Sequence, residues 1–141
     1  MAMMWKKRNR YIVPLVVWGA MVWLSGISGA EEKSPQRLDA RSVNRSIENQ
    51  EKHLLLNVSG YLSCMDARIP GSVCTSCDGG AAGYANLFPS KKDTKLIFYH
   101  ASTSWEPDCG IIAEAQRQGY TKVYILKGGL PAWRKAGYDT E

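Results

Sequence analysis

The stretch GYTKVYILKGGLPAWRKAGY, Gly119 to Tyr138, packs two elements of opposite type into twenty residues. Lys122 to Leu126 is a short β-prone run, and Gly128-Gly129 then turns the chain. Pro131 to Lys135 reads as one short helix, stopped near Gly137. Immediately upstream, Asp108 suits a helix N-cap, with Pro107 just before it. Ile111, Ile112 and Ala115 give that helix an apolar face, and Gly119 sits where its C-terminal cap belongs.

Further upstream the same alternation continues. Leu96 to Tyr99, LIFY, is an apolar run of the kind a buried strand needs, and Lys91-Lys92-Asp93 punctuates before it. Asp78 to Gly83 is rich in glycine and alanine and reads as loop, and Val73 to Thr75 has room for a short strand. Ile69-Pro70-Gly71 signals a turn. Leu54 to Val58 is another buried strand, broken at Ser59-Gly60, and Arg37 to Lys52 carries Leu38, Val43 and Ile47 at helical spacing. Strands alternating with helices predict an α/β domain around a mainly parallel sheet.

The first thirty residues stand apart. Met1 to Arg10 carries Lys6, Lys7, Arg8 and Arg10 and no acid, Tyr11 to Leu24 is uncharged and apolar, and the segment ends Ser28-Gly29-Ala30. A basic start, an apolar middle and small residues at the end describe a secretory signal cut after Ala30. The alternative is an uncleaved anchor formed by residues 11–30, which is long enough to span a bilayer. Either reading places the remainder in an exported compartment, periplasmic or extracellular. The organisation expected is thus a leader over 1–30, a flexible entry over 31–36 and one domain over 37–141. Contact with membrane is expected only through the leader, if it is retained.

The leader also holds four of the eighteen lysines and arginines and none of the thirteen acids, so the remainder has a net charge of +1. No basic stripe is left for nucleic acid, and that class of partner is not expected. All four cysteines, Cys64, Cys74, Cys77 and Cys109, lie beyond the leader, where disulfides are permitted. Three complete pairings are open.

Several pieces, in this order, resemble the rhodanese-like (sulfurtransferase) family. LLLNV followed ten residues after Val58 by RIPGS is similar to the family's strand and its following turn. LIFY resembles the strand that leads into the active-site loop, and the stretch from Gly119 to Tyr138 is close to the C-terminal signature. The resemblance covers Arg37 to Glu141 and implies a three-layer α/β domain, a mainly parallel central sheet flanked by helices. It also implies a chemistry. In active members a cysteine follows the LIFY-type strand, attacks a sulfur donor such as thiosulfate, and carries the sulfur as a persulfide to an acceptor. Backbone N–H groups of the loop and the following helix start favour the anions involved.

This chain departs from that pattern at its centre. His100 follows Tyr99 where the resemblance places cysteine, and counting back from Gly119 puts the nucleophile at Ser102 instead. The loop Ala101, Ser102, Thr103, Ser104, Trp105, Glu106, Asp108 has no basic residue to hold an anionic donor, and its two carboxylates repel one. Asn57, Ser59 and Arg68 stand where the family usually has Asp, Arg and His. Thiosulfate sulfurtransfer of the ordinary kind is therefore not expected.

The candidate catalytic residues are then Cys109 and His100. Cys109, following an Asp108 cap, would be the first residue of its helix, where a thiolate is favoured. His100 is a candidate general base, or a residue that fills the cysteine's space. Cys74-Thr75-Ser76-Cys77 forms a CxxC pair, open to a disulfide within the pair or to bonds with Cys64 or Cys109; Cys64 reads first as buried. Cys64, Cys74 and Cys77 are the redox and disulfide candidates. A lone CxxC makes at most half a metal site, so no metal and no cofactor are expected, with a persulfide carrier using Cys109 and a thiol-redox or metal-binding protein using Cys74 and Cys77 as the alternative readings. The expected ligands are a sulfur species or a protein partner in the exported compartment.

Overall fold

The computed structural model describes residues 34–77, 86–105 and 109–141. The leader, the entry residues 31–33, the glycine-rich run Asp78 to Gly83, and Glu106, Pro107 and Asp108 lie outside the described residues. Five strands form one sheet: β1 (Gln36–Leu38), β2 (His53–Asn57), β3 (Val73–Cys74), β4 (Lys95–Tyr99) and β5 (Val123–Leu126). Their order is β1-β5-β4-β2-β3, and each neighbouring pair is parallel. Four helices are described: α1 (Ala40–Glu48), α2 (Tyr61–Asp66), α3 (Gly110–Arg117) and α4 (Gly129–Lys135).

The strand sequences build this arrangement. Successive side chains of a strand point to opposite faces, so a strand covered on both sides must be apolar throughout. Leu96, Ile97, Phe98 and Tyr99 of β4 are all fully buried. Leu96 and Phe98 join Leu56, Val123 and Ile125 in a core under α3, whose Ile111, Ile112 and Ala115 fill it. Ile97 and Tyr99 face the other way, with Leu55 and Leu126, against Ala40 and Val43 of α1 and Leu130 and Trp133 of α4. The expected face of α3 is thus the one buried.

Several boundaries differ from the sequence expectation. Residues 36–38 do not enter the helix. They form an edge strand in which Gln36 pairs with Tyr124 and Leu38 with Leu126. Asp39 then caps α1, its carboxylate accepting the Ser42 N–H at 2.7 Å. Helix α4 starts two residues before Pro131, because Gly128 adopts a left-handed conformation (φ 77°) that lets the helix begin directly after the turn. Helix α2 has no counterpart in the sequence reading. It turns Cys64 inward and leaves Tyr61, Leu62 and Met65 exposed.

The RIPGS turn is fastened to the centre of the sheet by Tyr99. Its hydroxyl accepts the Ile69 N–H at 3.0 Å and donates to Ser72 Oγ at 2.8 Å. Arg68 pairs with Glu141 through main-chain hydrogen bonds in both directions and through Nε to the carboxylate at 2.9 Å. The Trp133 ring packs on Tyr138 and donates to Asp139 O, which seats the end of the chain against α4.

Candidate functional site

In an open parallel sheet, ligands bind at the carboxyl ends of the strands. β4 is the central strand of this sheet, and His100 begins the loop at its carboxyl end. Two neighbouring segments hold the start of that loop, and a third set of bonds lies within it. Leu130 N–H donates to His100 O at 2.9 Å. Ala101 N–H donates to Ser59 Oγ at 2.7 Å. Ser102 N–H donates to His100 Nδ1 at 3.0 Å, with Ser102 Oγ 3.1 Å from the same nitrogen.

These bonds define what the imidazole can do. A backbone N–H only donates, so Nδ1 is an acceptor and the neutral ring carries its proton on Nε2. The ring lies stacked on Trp105, with centroids 5.8 Å apart and planes 9° from parallel. Burial pushes the His100 pKa below its ordinary value of 6.5. The histidine is therefore neutral at physiological pH, with its basic nitrogen already engaged inside the loop. The two amides that follow it also have acceptors within the protein, so neither is left to cradle an anion.

All four cysteines are in disulfides. Cys64 of α2 bonds Cys74 of β3, and Cys77 bonds Cys109. Of the pairings left open by the sequence, the CxxC pair thus does not close on itself; its members reach to opposite partners. Cys64 is fully buried, as expected. Arg68 Nη1 approaches Cys74 Sγ at 3.8 Å, a contact the sequence did not signal.

The expectation that Asp108 caps the last loop's helix is corrected. Cys109 is itself the N-cap of α3, and it makes no capping side-chain bond because its sulfur is joined to Cys77. Cys109 is buried in the core under α3, and Cys77 and Trp105 pack against that same cluster. The structure therefore brings His100, Ser102 and Trp105 together in the loop, with the Cys77–Cys109 bond against the cluster that Trp105 covers. Cys64–Cys74 belongs to the α2–β3 connection instead. Thr103 and Ser104 are exposed on the loop, and Glu106 and Asp108 lie outside the described residues. Among the described residues no cluster of three or more His, Cys, Asp or Glu side chains is arranged to hold a metal ion.

Two contacts that close the loop were not recognised as such in the sequence. Ser59, noted there only as a replacement, supplies the acceptor for Ala101. Gly129, noted only as a turn, lets the chain run against the His100 and Ser102 carbonyls.

A parallel sheet covered on both faces by helices, with His100 at the carboxyl end of its central strand, defines a three-layer α/β domain. The rhodanese-like domain profile matches residues 29–136, and the chain belongs to that family. Solved structures agree on the fold. The chain is similar to the rhodanese-like domain of an Anabaena protein at 24% identity, covering 77% of this chain and 80% of that one with a TM-score of 0.61. A Bacillus halodurans protein is similar at 20% identity, covering 75% and 76%, with a TM-score of 0.57. The 3-mercaptopyruvate sulfotransferase of Escherichia coli is similar at 16% identity and a TM-score of 0.61; the match covers 77% of this chain and 52% of that one. No curated protein matches the sequence.

Proposed function

We propose that this is an exported rhodanese-fold protein that binds a sulfur species or a protein partner without the family's thiosulfate chemistry. One observation carries the reading: the first residues of the loop at the end of β4, His100 to Ser102, are tied up by protein hydrogen bonds. Its two candidate nucleophile positions, His100 and Ser102, are bonded to each other through His100 Nδ1, and the Ala101 N–H is held by Ser59. A donor anion would find neither a thiolate nor those two amides. The basic start and apolar middle of residues 1–30 are what an export signal would have, and the two disulfides fit an oxidising compartment, since such bonds persist there and not in a reducing one.

The test is thiocyanate formation by the full chain supplied with thiosulfate and cyanide. The expected rate is that of the protein-free solution. Turnover above that rate, lost in His100→Ala or Ser102→Ala, would show that the loop opens and works. Export is tested by the mass of the chain recovered from the producing cell, expected to begin at Glu31.

A second reading, sulfur or thiol chemistry at Cys109, is favoured by the place of that residue at the cap of α3. In the oxidised protein it would act through the bond to Cys77.

A further inference from the structure

We propose that Cys77–Cys109 is a reactive disulfide that captures hydrosulfide, Cys77 taking the added sulfur and Cys109 departing. The inference rests on the reading that the protein handles a sulfur species, and it names that species.

The step balances without any other reagent. The lone pair of HS⁻ forms a new S–S bond to Cys77 Sγ. The electron pair of the Cys77–Cys109 bond leaves on Cys109 Sγ as a thiolate, and the proton stays on the terminal sulfur. The sulfide sulfur is oxidised to a sulfane sulfur, and the disulfide is the two-electron oxidant. The products are Cys77–S–SH and the Cys109 thiolate.

Four features of the structure direct the attack. Disulfide exchange is fast where the attacked sulfur is accessible and the leaving sulfur is a stable thiolate. Cys77 is half-buried, whereas Cys109 is 5% exposed, so an incoming nucleophile meets Cys77 first. The sulfur that leaves belongs to the N-cap of the eight-residue helix α3, where the helix start favours negative charge. Cys109 makes no side-chain capping bond in the disulfide form, so its thiolate can turn to the helix N–H groups once released. Cys77 is only partly exposed and packs against the core under α3, so a nucleophile with one heavy atom reaches its sulfur with less hindrance than a tripeptide thiol does.

The other disulfide lacks this combination and serves as an internal reference. Attack at Cys74, its accessible half, would expel Cys64, which is fully buried. Cys64 sits inside α2 with its own N–H already given to Gly60 O at 3.0 Å, so no helix start receives its charge. Arg68 would stabilise Cys74 as the leaving sulfur, but the attack would then have to reach the buried Cys64. Cys64–Cys74 is therefore the inert bond of the two.

The experiment exposes the oxidised full chain to sodium sulfide without oxygen, traps thiols by alkylation, and maps every cysteine by peptide mass spectrometry. The expected result is one added sulfur, about 32 Da, on Cys77, with Cys109 alkylated as a free thiol and Cys64–Cys74 intact. Opening of Cys77–Cys109 should exceed opening of Cys64–Cys74 by about tenfold or more. Cys109→Ser, which leaves Cys77 as a thiol with no bond to break, should take up no sulfur while retaining Cys64–Cys74. Because the site is read in the unaltered protein, the result does not depend on the variant folding. Sulfide that leaves both bonds intact, opens both equally, or puts the sulfur on Cys109 overturns the proposal. So does glutathione opening the bond as readily as hydrosulfide. Thiocyanate formed from thiosulfate overturns the preceding reading instead, so the two failures are distinct.

Discussion

Gly129 lies directly against the carbonyl oxygen of His100. A β-carbon on Gly129 would stand 2.5 Å from that oxygen and 2.7 Å from Ser102 O, and the residue holds φ at +60°. Both facts require glycine here: the left-handed backbone disfavours any side chain, and the space is already filled by the loop. Gly129→Ala is therefore expected to destabilise the fold by more than the roughly 1–3 kcal/mol of the backbone effect alone. Gly137→Ala is the comparison, since that residue is also left-handed (φ +86°) but a β-carbon there would meet nothing within 4 Å. Thermal melts of the two variants should show a larger fall for Gly129→Ala. Equal falls would mean that the loop slides away from α4 at little cost.

Tyr99 ties the RIPGS turn to the central strand through one hydroxyl, and removing it leaves the Ile69 N–H without its partner. An orphaned buried donor costs about 1–3 kcal/mol. Tyr99→Phe should lower the urea midpoint correspondingly with an unchanged slope, because the surface exposed on unfolding stays the same. Hydrogen exchange should quicken at the Ile69 amide in particular. Unchanged protection there would show that Ser72 holds the turn without Tyr99.

The sheet was legible in the sequence where strands are buried on both faces. LIFY and the VYIL of β5 could hardly be anything else, and the helix face of Ile111, Ile112 and Ala115 followed from spacing. β1 was missed because Gln36 and Arg37 are exposed on an edge strand and carry no apolar alternation. α2 was missed because its six residues bury only Cys64 and leave their larger apolar side chains in solvent. The loop's position and its missing cysteine could be read from local order. Its closure could not, because the partners of Ala101 and His100 are Ser59 and Leu130, brought there by the strand order. The cysteine pairing was equally hidden: Cys74 and Cys77 are three residues apart yet bond to a residue inside α2 and to the N-cap of α3.

Acid should weaken the protein through two groups. His100 has its pKa lowered by burial from the ordinary 6.5, so the unfolded chain takes up that proton first. Its contribution is complete above pH 6.5 and is lost as pH falls through the folded value. Glu114 is held at about 2 by its hydrogen bonds to Arg117 and Gln118, against an ordinary 4.5. That contribution is present above pH 4.5 and is lost progressively as pH falls towards 2. Melting temperatures measured from pH 8 downward should therefore fall less steeply below pH 6.5 in His100→Gln and less steeply below 4.5 in Glu114→Gln. Proton NMR of the His100 ring should give a midpoint under 6.5. A midpoint above it would mean that the folded loop favours the charged ring, which contradicts Nδ1 accepting the Ser102 N–H.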